Sequence, residues 1–240
     1  MKLLMENFRK YLKEEENPIH IFFDMDGVLV DFAGKVAELI NGTIDKNPDV
    51  IYAGSKSKRK ALKRLQKVRE DEKITAPITS KELEQMTARK DAGQERTKME
   101  KRISDYLFSL IANDSQVWAD MEILSGAEDM VKAAQEKGTV YILTSPVQGA
   151  PDETESASAI GKKEWLSNHF PAIDSDKIII TGEKGAALQG LGIIEKGERA
   201  ILIDDRTKYI DQFKGAGGEA IKHSEDDTSS TLGFLRSLGT

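Results

Sequence analysis

Five short apolar runs, the last four interspersed with helix-patterned segments, restrict this chain to an alternating α/β architecture. The first, Ile19-His20-Ile21-Phe22-Phe23, follows Asn17-Pro18, a pair that stops any preceding helix. It is short, apolar and partly β-branched, as expected of a strand buried on both faces. Similar runs occupy 139–143, 177–180, 200–203 and 219–222, and helical patterns at 126–137 and 159–168 lie among them. Ser125 and Glu128 have capping-box spacing at the start of the first of these helices. Strands that alternate with helices require right-handed crossovers, so the expected fold is α/β with a mainly parallel, doubly wound sheet. A chain of 240 residues is long enough for that domain plus a smaller one.

The gap between the first and second strands differs sharply in composition. From about 35 to 116 the sequence is charged, poor in strand signals and mostly helical, which predicts an inserted helical domain at 33–116 within a core of 1–32 and 117–240. Met99, Ile103, Tyr106, Leu107, Leu110 and Ile111 fall on one helix face. Thr79 and Glu82 repeat the capping-box spacing after Pro77. Residues 56–69 hold eight basic side chains and no acid, with Leu62, Leu65 and Val68 as a narrow apolar stripe. A solvated helix face is the plain reading of that run, and attraction of a polyanion is the other.

With 35 basic against 41 acidic residues the net charge is -6, which argues against general capture of nucleic acid or of an anionic membrane. No stable nucleic-acid partner is expected, and no run approaches the roughly 18 apolar residues of a membrane span. Residues 1–17 carry Leu4, Met5, Phe8, Tyr11 and Leu12 among Glu and Lys, an amphipathic helix rather than a signal peptide. The absence of cysteine excludes disulfides, thiolate metal sites and a Cys nucleophile, and fits a cytoplasmic location. A low-complexity loop of small and acidic residues is expected at 151–158.

Chemistry gathers at the strand ends. The first strand runs into Asp24-Met25-Asp26-Gly27-Val28, the fourth ends in Asp204-Asp205, and the second ends in Thr144-Ser145-Pro146. Open parallel sheets place ligands at their carboxyl edge, and alternate residues there can aim two carboxylates at one pocket while Gly27 lets the chain turn away. Each piece has a plain reading: Asp-Gly is common in turns, and Asp204 or Thr144 could cap a helix. Three such pieces at three strand ends are hard to assign to caps alone.

These residues resemble the haloacid dehalogenase superfamily, whose phosphatases carry an Asp-x-Asp-Gly after the first strand, a Thr or Ser after the second, a later Lys and an acidic pair after the fourth. Asp24 to Phe32, Thr144-Ser145-Pro146, Lys162-Lys163-Glu164-Trp165 and Ile203-Asp204-Asp205-Arg206 are similar to its 5'(3')-deoxyribonucleotidase branch. The Lys-x-x-Trp spacing selects Lys162 as the phosphate lysine, with Lys163 and Lys184 as alternatives. The resemblance implies a Rossmannoid core whose inserted helical cap, at 33–116, covers the pocket and chooses the substrate.

It also implies a reaction. Asp24 would attack phosphorus, and Asp26 would protonate the leaving oxygen and then activate water. A carboxylate about 4 Å from one negative charge is repelled by about 4 kcal/mol at an effective dielectric of 20. Mg²⁺ held by Asp24, the Asp26 backbone carbonyl and Asp204 would offset this, with Lys162 and Thr144 on the phosphoryl oxygens. Asp205 would orient a metal-bound water or Lys162. Met25, Ser145 and Trp118 would meet the substrate, with core packing the other reading of Trp118. An Asp at position 26 separates phosphatases from the superfamily's pumps and dehalogenases.

The implied substrate is a small phosphate ester, a nucleoside monophosphate and more often deoxy than ribo. A sugar phosphate or a nucleic-acid 3'-phosphate is the alternative for the same mechanism, and a non-catalytic phosphate- or nucleotide-binding regulator is the alternative of another class. Trp165 reads as core. His20, His169 and His223 have no metal-ligand spacing.

Overall fold

The computed structural model describes residues 18–147 and 156–239. The helix expected over 1–17 lies outside the described residues, as does most of the loop expected at 151–158. Strand β1 (Ile19–Phe23) is followed by helices α1 (Phe32–Asn41), α2 (Pro48–Ile51), α3 (Lys56–Asp71), α4 (Ser80–Asp91), α5 (Lys98–Ile111), α6 (Ser115–Ala119) and α7 (Ala127–Gln135). Strand β2 (Thr139–Thr144), α8 (Ala157–His169), β3 (Ile178–Ile180), α9 (Lys184–Leu191) and β4 (Arg199–Asp204) come next. Helix α10 (Thr207–Gly215), β5 (Glu219–Lys222) and α11 (Thr228–Ser237) complete the described elements.

The described residues divide into two compact units, one of 18–29, 125–144 and 175–239, the other of 30–124, 145–147 and 156–174. The first holds a parallel sheet in the order β3-β2-β1-β4-β5. This is the α/β architecture that the strand and helix patterns predict. All five expected strands form, with small changes at their ends. Thr144 and Asp204 extend β2 and β4 because their carbonyls carry the ladder on, accepting from Thr181 N–H (2.8 Å) and His223 N–H (2.9 Å). Lys177 instead sits in a short 3₁₀ turn.

Strand β1 is central, so its side chains are covered on both faces, and Ile21, Phe22 and Phe23 are fully buried. Phe22 packs with Leu143, Leu188, Ile193, Leu202 and Phe213. Its ring stacks on Tyr141 at 4.8 Å and meets Phe213 edge-on at 5.3 Å. Burying each such side chain contributes about 1.5–3 kcal/mol, which fixes the register of β1 against β4 and with it the position of the strand ends. The capping box expected at Ser125 does not form. Gly126 is the N-cap of α7, at φ +84°, and no side chain caps the helix.

The second unit is helical. Helix α3 buries Leu62, Leu65 and Val68, and α5 buries Ile103, Tyr106, Leu110 and Ile111. The expected Thr79–Glu82 capping box opens α4, and a second one, Thr97–Glu100, opens α5. Each satisfies backbone N–H groups that the first helical turn leaves without partners.

Candidate functional site

The chain leaves β1 toward β2 and β3 on one side and returns to β4 and β5 on the other, so the strand order reverses between β1 and β4. That reversal is where open α/β sheets bind ligands, beyond the carboxyl ends of the strands. Asp24 follows β1 there, 3% exposed, its N–H donating to Ile203 O at 2.9 Å. Asp204 ends β4 and is fully buried; its Oδ1 accepts from Arg206 N–H at 2.8 Å. Lys184, the first residue of α9, is also fully buried, with Nζ 2.6 Å from Asp204 Oδ2 and 2.9 Å from Asp24 Oδ1.

Three features of unit 1 hold that lysine. Gln212 Oε1 accepts from Lys184 N–H at 3.1 Å, which ties the start of α9 to α10. Gly185 permits the close approach, since a Cβ there would lie 2.6 Å from Gln212 O. The buried ring of Tyr209 lies beneath the ammonium, 4.6 Å from ring centroid to Nζ.

Charge is unbalanced in this cluster. Asp24, Asp204 and Asp205 each offer an oxygen within 4.8 Å of the others, against one ammonium. Burial and the Asp24 charge push Asp204 up to about 6, while Lys184 and the Arg206 N–H pull it back only in part. Burial also holds Asp205 well above the ordinary carboxylate range, with Asp24 and Asp204 adding to it. Burial works against a charged Lys184, but the Asp24 and Asp204 charges outweigh it and its pKa is raised. Asp205 Oδ1 is buried without a hydrogen-bond partner among the described residues. Three hard oxygen donors, one of them with an unused buried atom, suit a divalent cation such as Mg²⁺.

The turn after Asp24 is built around the acids. Met25 is fully buried, and its carbonyl accepts from Val28 N–H (3.3 Å) and Leu29 N–H (2.8 Å). Gly27 takes φ +73°, and a Cβ there would come 2.9 Å from Asp205 Oδ2. A glycine therefore both permits the turn and leaves room for the third carboxylate. Asp26 lies in this turn and is half-buried, while Thr144 ends β2 at the same sheet edge, fully buried.

The remaining residues singled out in the sequence lie together in the helical unit. Lys162 is fully buried on α8 and donates from Nζ to Ser145 O at 2.8 Å. Its ammonium is 5.1 Å from the centroid of a Trp118 ring. Trp118 is 2% exposed, donates Nε1–H to Ile111 O at 3.2 Å and stacks on Phe32 at 5.3 Å. Trp165 is buried with Nε1–H on Met121 O at 2.8 Å, the core role expected for it. Within its own unit, then, the structure brings Lys184 to Asp24 and Asp204, and it brings Lys162 to Ser145 and Trp118. Lys184 follows β3 by four residues, a strand-end signal equal in kind to that of Asp24.

Residues 59–236 match the family described as 5' nucleotidase, deoxy (pyrimidine), cytosolic type C protein. Two curated relatives, a 5'(3')-deoxyribonucleotidase of Bacillus subtilis (strain 168) and one of Bacillus phage SPbeta, are each 26% identical over 102 residues, 42% of this chain and 50% of theirs. The chain thus spans about half the length of the curated relatives it matches. Among solved structures, a haloacid dehalogenase-like family hydrolase from Xanthomonas campestris has a TM-score of 0.46 at 15% identity, covering 93% of this chain and 97% of that one. A hydrolase from Streptococcus pneumoniae TIGR4 has a TM-score of 0.45 at 11% identity, covering 91% and 100%.

Proposed function

The chain belongs to the family of deoxy (pyrimidine) 5'-nucleotidases of cytosolic type C, and on that premise we propose that it is a phosphatase that hydrolyses a nucleoside monophosphate, a deoxyribonucleotide in preference. The observation that supports this most is the buried Lys184 ammonium set between Asp24 and Asp204 at the point where the strand order reverses. Two carboxylates and a cation held there can bring a nucleophile to a phosphorus atom and bind the oxygens around it.

In this reading an Asp24 carboxylate oxygen forms a bond to phosphorus as the ester oxygen leaves, and Asp26 gives that oxygen its proton. The aspartyl-phosphate is then cleaved by water, whose proton returns to Asp26, and inorganic phosphate departs with Asp24 restored. Lys184 neutralises the phosphoryl oxygens as they approach Asp24, and the Thr144 hydroxyl donates to one of them. Asp24, Asp204 and Asp205 would hold Mg²⁺ together with the Asp26 carbonyl, and the ion would supply the further positive charge that a phosphate dianion needs beside carboxylates. Lys162 is proposed as a second phosphate contact on the separate ground of its Lys-x-x-Trp spacing.

Substrate choice is assigned to the helical unit, with 33–116 as the cap. Trp118 has its N–H and one ring face committed to packing, so the half-buried Phe32 stacked on it is the aromatic surface offered to a base. A cytoplasmic setting is the companion proposal. The test is phosphate release from nucleoside monophosphates, sugar phosphates and 3'-phosphorylated oligonucleotides, with and without Mg²⁺. Release mainly from sugar phosphates or 3'-phosphate ends would overturn the substrate, and release from none would overturn the phosphatase.

A further inference from the structure

Helix α3 has two faces of opposite character. Ala61, Leu62, Leu65, Val68 and Arg69 are buried, whereas Lys56, Lys60, Lys63, Arg64 and Lys67 are exposed. At 3.6 residues per turn the five exposed cations occupy about 100° of the circumference, opposite the buried stripe, along about 16 Å of helix. Lys63 pairs with Asp49 at 2.6 Å and Lys67 lies 3.9 Å from Asp71. Lys56, Lys60 and Arg64, spaced i, i+4, i+8, have no ion pair among the described residues.

This stripe is costly to the helix that carries it. There is no acid in the first turn of α3, where the helix dipole disfavours positive charge. Lys56–Lys60, Lys60–Arg64 and Lys63–Lys67 are like-charge pairs at i, i+4, which repel. Eight of the chain's 35 basic residues lie within 56–69, leaving 27 basic against 41 acidic elsewhere. A chain that needed only a solvated helix would do better with mixed signs here.

We propose that the exposed face of α3 is a docking surface for the phosphate backbone of a nucleic acid. Phosphate contact requires charge alone, and about five cations along 16 Å match about five phosphates of one strand at 3.4 Å of axial rise each. A protein partner is disfavoured because this face has no aromatic or aliphatic anchor, and lysine is depleted at the centres of protein interfaces. A membrane surface is disfavoured because the apolar side of α3 is already buried. The association is electrostatic, of low sequence selectivity and reversed by salt, and it is confined to this face because the rest of the chain, at 27 basic against 41 acidic residues, repels a polyanion.

The experiment is fluorescence anisotropy of the full chain with a labelled double-stranded DNA oligonucleotide carrying hydroxyl ends, so that it offers no terminal phosphate to hydrolyse. Wild-type affinity should fall steeply between about 50 and 200 mM salt. Lys60→Gln combined with Arg64→Gln should weaken binding at least about tenfold and reduce the slope of log affinity against log salt by about two. The same variant should melt at or above the wild-type temperature, because it relieves repulsion, so loss of binding cannot be loss of fold. No binding by wild type at low salt, or an unchanged slope in the variant, would overturn the proposal. Displacement of the oligonucleotide by poly-glutamate at equal charge concentration would overturn it in favour of an acidic polypeptide.

Discussion

The ammonium of Lys184 stands over the ring of Tyr209, 4.6 Å from its centroid, with both residues buried. The ring is a floor for a cation whose other neighbours are Asp24 and Asp204. A desolvated cation–π contact is worth about 2 kcal/mol, and 1.36 kcal/mol is tenfold in rate. Tyr209→Phe should therefore retain most activity, whereas Tyr209→Leu should lower kcat by about thirtyfold with a smaller change in KM. Steady-state kinetics on the two variants checks this. Equal loss in both would mean that the hydroxyl, not the ring face, matters.

The two lysines should separate cleanly. Lys184→Met leaves buried carboxylates without their ammonium, and removing one partner of a buried pair typically costs about 3–5 kcal/mol. The variant should melt well below wild type in chelator, recover part of that loss on adding Mg²⁺, and have kcat reduced at least about a hundredfold. Lys162→Met should leave the Mg²⁺ dependence of melting unchanged, because Lys162 meets Ser145 and Trp118 instead. Calorimetric melting with and without Mg²⁺ decides between them. An unchanged kcat in Lys184→Met would remove it from the reaction.

Much of this arrangement was legible in the sequence because it lies in short-range patterns. Strands buried on both faces, such as β1, announce themselves as apolar runs, and Asp24, Thr144 and Asp204 stand at their ends. Membership of the nucleotidase family, matched over residues 59–236, bears out the resemblance carried by Thr144 to Pro146, Lys162 to Trp165 and Ile203 to Arg206. The pairing of Lys184 with Asp24 and Asp204 was legible only in part: Lys184 stands among the candidate lysines, but the choice over Lys162 depends on sheet order and on the packing of Gly185 on Gln212, which bring together residues far apart in sequence. The absent capping box at Ser125 has a similar cause: the spacing is present, but Gly126 takes the left-handed conformation and becomes the N-cap.

Metal removal should abolish turnover. Asp205→Asn removes a carboxylate whose Oδ1 has no hydrogen-bond partner among the described residues, so it should weaken Mg²⁺ binding by about 10- to 100-fold and do little to metal-free stability. Isothermal titration with Mg²⁺ measures the first effect and melting in chelator the second. Undiminished affinity would exclude Asp205 as a ligand. Asp24→Asn should yield no aspartyl-phosphate, read by trapping the labelled acyl-phosphate from substrate carrying a labelled phosphoryl group.

His223 gives the fold a pH dependence of defined sign. It is buried, its Nδ1 lies 2.9 Å from Thr231 Oγ1, and burial lowers its pKa from 6.5, with Asp227 opposing only in part. The unfolded chain therefore binds a proton at a higher pH than the folded one, so stability is fully present above about pH 6.5 and is lost as pH falls below it. The slope can reach about 1.4 kcal/mol per pH unit. Asp204, raised to about 6, has the opposite sign in the metal-free protein, since the folded state then takes up its proton first. The two are distinguished by difference: stability of wild type minus that of His223→Gln should decrease between pH 6.5 and 5, in chelator and in Mg²⁺ alike. A difference that stays flat over that interval would mean that His223 is protonated as readily in the folded protein as in the unfolded chain.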